Sequence, residues 1–179
     1  METALKNIVV FTSVLSVLTF SPGIFAMSLK DVGKLCLFSA ISGVITLDGK
    51  PVSAAQIKRT VGKAHTQGEK TDETYTDADG YFEMPSVWDR SLIGKVLPME
   101  FAVPQEVFVY ADGQEYKIWS GVKRRKEEFS ESSGQPLVVR CELKSEKRIV
   151  NVGGGFVSSV CEWNYKEDPQ PDFGLPIDD

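Results

Sequence analysis

The fold is decided by a run of apolar and β-branched residues at positions 35–51, which reads LCLFSAISGVITLDGKP. Residues of these types are enriched in β-strands, and the run ends on Asp48-Gly49, a pair that favours a tight hairpin turn. We therefore predict a strand over residues 35–47 that is followed at once by a turn.

Strand signals continue downstream. Residues 55–61 alternate polar and apolar side chains, and the polar stretch 62–72 behind them is predicted to be an exposed loop. Residues 71–76 and 81–84 flank the sequence Asp77-Ala78-Asp79-Gly80, where aspartate and glycine are the residues that a turn requires. This arrangement predicts a β-hairpin.

A second hairpin is predicted from residues 105–111 and 115–120, which flank Asp112-Gly113. Another strand is predicted over residues 136–143. Between the two hairpins, apolar residues recur at helical spacing, which predicts one short amphipathic helix between Pro85 and Pro98. The residues with this spacing are Trp88, Leu92, Ile93 and Val96.

Short strands separated by turns indicate an all-β fold, a single antiparallel β-sandwich of immunoglobulin-like type with one short helix. We place this domain at residues 35–145. Residues 146–163, with the triplet Gly153-Gly154-Gly155, are predicted to be an irregular extension in which the glycines supply flexibility or a bulge. Residues 164–179 are rich in proline and acidic residues, a composition that predicts a flexible tail.

Three segments also resemble known sandwich families. They are SGVITLDGKPV at 42–52, AAQI at 54–57 and TYTDADGYF at 74–82. Together they resemble the carboxypeptidase regulatory-like and transthyretin-like (prealbumin-like) families, and with Cys36-Leu37-Phe38-Ser39 ahead of them they look like a family of uncharacterised bacterial proteins. The resemblance implies a transthyretin-like antiparallel sandwich and assigns no site residues.

The first 26 residues have the pattern of a secretory signal peptide. Lys6 precedes an apolar run at 8–20, and Ala26 follows a break at Ser21-Pro22-Gly23. The run is shorter than the ~20 residues that a membrane-spanning helix needs, so we expect no retained membrane anchor. This predicts a periplasmic or secreted protein, or a cytoplasmic one if Met27 is the true start.

The chain has three cysteines, and an exported protein can form one bridge among them. We predict a Cys36–Cys141 disulfide, because both cysteines lie in strand-like runs near the two ends of the domain. Cys161 would then keep a free thiol. The alternative is that all three are reduced and packed as small apolar side chains.

Composition and motifs argue against several classes of function. The net charge of −5 disfavours nucleic acid, because phosphate binding needs a basic surface. The only histidine, His65, lies in a polar loop with no nucleophile nearby in sequence, and neither it nor the cysteines have the spacing of a zinc site. We therefore expect no enzymatic activity, no metal and no cofactor.

The prediction that is left is an exported binding protein, most concretely a periplasmic immunity-type protein that neutralises a toxin or effector by direct contact. The alternatives are a glycan or peptidoglycan-binding module, which exposed tryptophans would favour, and a structural component of the envelope or cell surface. The oligomeric state is left open. The candidate partner-binding residues are the basic run, two tryptophans and two acids of the tail: Lys123, Arg124, Arg125, Trp88, Trp163, Asp168 and Asp172.

Overall fold

The structure is a computed structural model, and it describes residues 33–64, 67–90 and 100–169. The described residues contain no helix that is long and apolar enough to span a membrane. The strands are, in chain order, β1 Lys34–Phe38, β2 Ile41–Leu47, β3 Lys50–Pro51, β4 Gln56–Gly62, β5 Glu69–Tyr75, β6 Tyr81–Met84, β7 Val87–Arg90, β8 Val103–Ala111, β9 Gln114–Lys123, β10 Leu137–Glu142, β11 Arg148–Val152, β12 Gly155–Ser159 and β13 Cys161–Glu162.

Within these residues the strands form two main sheets and a small one. One sheet has the order β13-β10-β2, with β3 and β6 pairing with different parts of β2; the other has the order β11-β12-β9-β8-β4-β5. β1 pairs with β7 in a separate ribbon. The pairing of β2 with β10 is parallel, and the other pairings among the described strands are antiparallel. The predicted all-β sandwich is confirmed.

The core lies between the two main sheets and is built by alternation along each strand. In β8, for example, Val103, Gln105, Val107 and Val109 are buried, while Pro104, Glu106 and Phe108 between them point outward. Trp119 on β9 is the largest fully buried side chain, and its ring centroid lies 5.8 Å from that of Phe38. This aromatic contact ties the β1–β7 ribbon to the six-stranded sheet.

The predicted helix is wrong where the structure describes it. Trp88 lies in β7, opposite Cys36 of β1, and the remaining residues of the predicted helix, with Leu92, Ile93 and Val96, lie outside the described residues. The β7 backbone forms its hydrogen bonds with β1 instead of within a helix. The spacing of apolar residues within 85–98 carries no information about this pairing. Among the described residues the only helical segment is a 3₁₀ turn at Ser130–Ser132.

The Asp77 turn is present, but the predicted hairpin around it is wrong. The Asp77 carboxylate accepts hydrogen bonds from the backbone N–H of Asp79 at 2.9 Å and of Tyr81 at 2.8 Å. The strands on its two sides join different sheets, because β5 pairs with β4 while β6 pairs with β2. The predicted first strand is likewise divided into β1 and β2, whereas the β8–β9 hairpin is confirmed.

The chain beyond Leu143 is more regular than the sequence indicated. The predicted irregular extension contributes β11 and β12 to one main sheet and β13 to the other. Gly153 and Gly154 both have positive φ, 64° and 78°, and form the two-residue turn of the β11–β12 hairpin rather than a flexible stretch. Of the predicted flexible tail, residues 164–169 contact the sandwich; residues 170–179 lie outside the described residues.

Candidate functional site

One disulfide forms, but it is not the predicted Cys36–Cys141 bridge. Cys141 of β10 is bonded to Cys161 of β13, its direct cross-strand neighbour, with their Cα atoms 4.0 Å apart. Cys36 is a buried free thiol on β1, and burial raises its pKa to about 11. The bridge therefore fixes the two-residue β13 to its sheet. Residues 163–169, which follow it, are called the C-terminal segment.

A buried polar network lies beneath that segment. Glu131 is only 3% exposed, and its carboxylate accepts hydrogen bonds from Ser39 Oγ at 2.7 Å and Gln105 Nε2 at 2.9 Å, and it forms an ion pair with Lys123. Burial alone would raise the pKa of Glu131, but the Lys123 charge and these hydrogen bonds outweigh it and hold the pKa below its usual value. Lys123 is therefore a structural residue.

The start of the C-terminal segment is anchored on this network. Trp163 Nε1 donates to the carbonyl oxygen of Glu131 at 2.9 Å. The Trp163 ring lies between Trp119 and Tyr165, with both centroid distances at 4.9 Å. The two aromatic contacts and the hydrogen bond give residues 163–165 a defined position against the core.

Asp168 fixes the same segment to the β11–β12 hairpin. Its backbone N–H donates to the carbonyl oxygen of Asn151 at 2.8 Å, and its carboxylate accepts from the N–H of Gly154 at 2.6 Å. The hairpin is also packed closely on β9, because a Cβ atom at Gly155 would lie 2.2 Å from the carbonyl oxygen of Val122. The hairpin is thus held from both sides.

This anchored hairpin exposes two large apolar side chains. Ile149 is 71% exposed and Phe156 is 56% exposed. Ile149 lies opposite Ser158 and Phe156 opposite Asn151, so the two are diagonal neighbours on the outer face of the six-stranded sheet. Contiguous exposed apolar side chains are a mark of interaction sites.

Two arginines lie beside the hairpin turn. Arg124 pairs with Glu100, and Arg125 Nη2 lies 3.9 Å from an Asp168 carboxylate oxygen. Exposed pairs of this kind contribute little to stability, so both guanidinium groups can exchange partners. We call Ile149, Phe156, Arg124 and Arg125 together the hairpin surface. An apolar centre with arginine at its edge is the composition that protein interfaces favour.

A groove of about 800 Å³ adjoins the other end of β11. Arg148 of β11 lies at its wall, with Nη2 3.6 Å from a Glu162 carboxylate oxygen. Arg140 of β10 is exposed on the groove surface and has no ion-pair partner among the described residues. A smaller groove of about 580 Å³ lies between the 125–134 loop and residues 166–169.

The sequence of this chain matches a known protein family. A family model described as a domain of unknown function, DUF6795, matches residues 41–146, more than half of the chain. The chain belongs to the DUF6795 family. No curated protein and no solved structure matches it. The match covers β2 to β10, so Arg140 and Cys141 fall within the DUF6795 domain, while the β11–β12 hairpin lies after it.

In this DUF6795 chain, most of the predicted partner-binding residues lie at one end of the sandwich. Lys123 is buried there, Arg124 and Arg125 are exposed, Trp163 is half-buried and Asp168 binds the hairpin. Trp88 lies elsewhere, on β7, where Lys34 Nζ is 4.0 Å from its ring centroid. Asp172, like His65, lies outside the described residues.

Four residues of these surfaces were not predicted from the sequence: Ile149, Phe156, Arg140 and Arg148. The first two were detectable, since Ile149-Val150-Asn151-Val152 and Phe156-Val157-Ser158-Ser159 flank a glycine pair that can form a tight turn. The arginines gave no signal, because their position at one groove depends on which strands pair. Among the described residues, no three histidine, cysteine or acidic side chains are grouped as metal ligands would be.

Proposed function

We propose that this chain is an exported, non-enzymatic binding protein that acts by direct contact with another protein through the hairpin surface. The observation that carries the proposal is the adjacent exposure of Ile149 and Phe156 on a hairpin that is otherwise firmly held. Large apolar side chains in this setting stabilise a complex because they bury apolar surface and the backbone that carries them is already ordered. The signal-like residues 1–26 and the Cys141–Cys161 bridge support export.

In its more specific form, the proposal is a periplasmic immunity-type protein that neutralises a toxin or effector. A small domain that blocks another protein needs a rigid surface, and the disulfide, the Trp163 stacking and the Asp168 contacts support such rigidity. The net charge of −5 supports steering towards a basic partner, with Arg124 and Arg125 as local contacts for its acidic groups.

The glycan-binding alternative has less support. A sugar-stacking platform needs an exposed aromatic ring, but Trp119 is 1% exposed, and Trp88 and Trp163 are half-buried. The surfaces of all three rings are engaged, by Lys34 or by one another. These contacts favour protein binding over glycan binding.

The experiment is photocrosslinking in the producing cells. A photoreactive phenylalanine analogue replaces Phe156, and covalent adducts are identified by mass spectrometry. Tyr75 is the matched control, because it has nearly the same exposure, 57%, and lies on β5 at the far edge of the same sheet. We expect a discrete protein adduct from position 156 and none from position 75.

The absence of a protein adduct at 156, or equal labelling from both positions, would contradict the proposal. The immunity form has its own test, which is competition between strains. Cells that lack the gene should be killed by neighbouring strains that deliver the crosslinked partner, and cells with the Phe156→Ala variant should be protected less than wild type. Equal survival of the deletion strain would reject that form.

A further inference from the structure

Strand β11 has a free backbone edge at Ile149. It is the last strand of the six-stranded sheet, and in an antiparallel pair successive residues direct their N–H and C=O alternately to the neighbouring strand and away from it. The Asn151 carbonyl points away from β12, because it accepts the Asp168 N–H at 2.8 Å. Ile149, two residues earlier, has the same orientation, and its outward backbone groups have no partner within the described residues.

This edge already accepts a second segment of chain at one position. Asp168 occupies the place beside Asn151, and the Asn151 side chain donates to the Pro169 carbonyl oxygen at 3.4 Å. Among the described residues the contact ends at Pro169, and none of them pairs with the edge beside Ile149 and Lys147. An unpaired N–H and C=O beside an exposed apolar side chain is the arrangement that a strand-adding peptide uses.

The groove of about 800 Å³ lies next to the same strand, since Arg148 of β11 is part of its wall. Its lining includes two arginines and three glutamates. Glu142 accepts hydrogen bonds from Thr46 Oγ1 and the Gly49 N–H, and Glu162 pairs with Arg148. Arg140 is the arginine left without an ion-pair partner within the described residues, and it lies beside Val44, its neighbour in register. A guanidinium group beside apolar surface favours a carboxylate on the occupant, because the two can form paired hydrogen bonds.

We propose that an extended segment of the protein partner adds to the edge of β11 as a further strand. Its backbone pairs with Ile149, an apolar side chain packs on Ile149 and Phe156, and a carboxylate reaches Arg140. This inference rests on the proposed function and deepens it, because it assigns the chemistry of the segment through which a partner that is basic overall would bind: alternating apolar and polar residues, a carboxylate for Arg140 and no proline at the pairing residue.

A second copy of the chain fits this edge less well. A two-fold axis at Ile149 would set Lys147 of one copy beside Asn151 of the other, a place that Asp168 already occupies. A short segment of another protein can end before Asn151 and avoids this conflict. This conflict excludes self-pairing centred on Ile149, and the unpaired Arg140 guanidinium favours an acidic segment of a different protein.

The test uses a phage-displayed library of random 12-residue peptides, selected on the wild-type protein. We expect enriched peptides that alternate apolar and polar residues and carry an acid. Ile149→Pro removes the backbone N–H that would pair with the peptide, so the dissociation constants of the peptides should rise about ten-fold or more. Ile149→Val is the matched control, and it should change them by less than about two-fold. Arg140→Gln should weaken binding of the acidic peptides several-fold.

A second measurement needs no variant. Hydrogen exchange of the Ile149 amide in the wild-type protein should slow about ten-fold or more when a selected peptide saturates it, while exchange of Asp112 at the β8–β9 turn should not change. Failure to enrich peptides, equal binding to Ile149→Pro, or an unchanged Ile149 amide would overturn the inference. So would protection of Ile149 by a synthetic 170–179 peptide or by dimerisation.

These results separate the inference from the proposed function. If a protein adduct forms at Phe156 but peptide binding does not depend on the Ile149 backbone, the proposed protein-binding function is retained and strand addition is rejected. Peptide binding at Ile149 without an adduct in cells would retain strand addition as a property of the edge and reject the proposed function.

Discussion

The two edges of the six-stranded sheet are built in opposite ways. At one edge, β5 carries only polar and charged residues up to Tyr75, and Lys70 reaches across to the Trp88 carbonyl oxygen at 2.5 Å and to Asp89 at 3.3 Å. At the other, β11 exposes Ile149 beside backbone groups that have no partner within the described residues. Natural sheets block edges with charge to avoid unwanted pairing, and the apolar side chain of Ile149 provides no such block.

The two edge strands are held by different contacts. Arg59 on β4 is fully buried and binds Asp72 of β5 through Nε at 2.9 Å and Nη2 at 2.5 Å, and Nη2 also donates to the Pro85 carbonyl oxygen at 2.7 Å. β11 packs Val150 and Val152 into the core, and outside its own sheet it contacts the 130–132 turn, the C-terminal segment and, through Arg148, β13. The open edge therefore depends on how well that end of the sandwich is held.

We expect the largest loss of stability at Glu131, whose buried contacts hold the end of the sandwich beside β11. Glu131→Ala leaves Lys123 buried without its partner and should lower the free energy of unfolding by roughly 3–5 kcal/mol, measured by urea denaturation. Changing both residues, Glu131→Leu with Lys123→Met, should recover most of the loss, because no unpaired charge is left. A loss below about 1 kcal/mol for Glu131→Ala would contradict this role.

The same residue gives the fold a pH dependence. The pKa of Glu131 is lowered in the folded state, so its stabilising contribution is complete above the ordinary pKa of a glutamate and is lost as the pH falls below it. Stability measured from neutral to acidic pH should therefore fall less steeply in Glu131→Gln than in wild type. Parallel curves would exclude Glu131 as the source.

The disulfide should have the next largest effect, because it fixes β13 in front of the C-terminal segment. Cys141 and Cys161 are separated by 20 residues, and a loop of this size predicts a loss of about 3 kcal/mol for the double variant Cys141→Ser, Cys161→Ser. The near-ultraviolet circular dichroism from the Trp119–Trp163 contact should weaken as well. Cys36→Ala, which retains the bridge, is the control and should keep that signal.

At the blocked edge, Asp72→Ala should cost about 2 kcal/mol. The loss is smaller than at Glu131 because the Asp72 side chain is 38% exposed, so water can replace part of what the buried Arg59 loses. The matched variant at the neighbouring outward position, Glu73→Ala, should change stability by less than about 0.5 kcal/mol. Equal effects of the two variants would show that the Arg59 contact does not hold β5.

Features determined by residues close together in the sequence could be predicted, whereas features determined by contacts between distant segments could not. The turns at Asp48, Asp77 and Asp112 were predictable because aspartate and glycine determine them locally. The pairing of β5 with β4, and of Cys141 with Cys161, was not, because pairing depends on packing over the whole core. Alternation over residues 55–61 predicted the strand β4, but not that Arg59, which lies on the same face as Ile57, is buried.

The smallest effect on stability is expected at the open edge itself. Ile149→Lys should change the free energy of unfolding by less than about 0.5 kcal/mol, because the side chain is 71% exposed, yet it should abolish crosslinking from position 156. The neighbouring Val150 is 6% exposed, and Val150→Lys should unfold the protein. A strongly destabilised Ile149→Lys would mean that Ile149 belongs to the core and not to a docking surface.

The most direct test of the account is amide hydrogen exchange of the free protein, resolved by residue along β11. If the edge is open, the Ile149 amide exchanges at nearly the rate of an unstructured chain, while the amide of Val150, which faces Val157 on β12, is protected by several orders of magnitude. If Ile149 is protected as strongly as Val150, the edge is already closed, and both the contrast between the two edges and the strand-addition proposal fail.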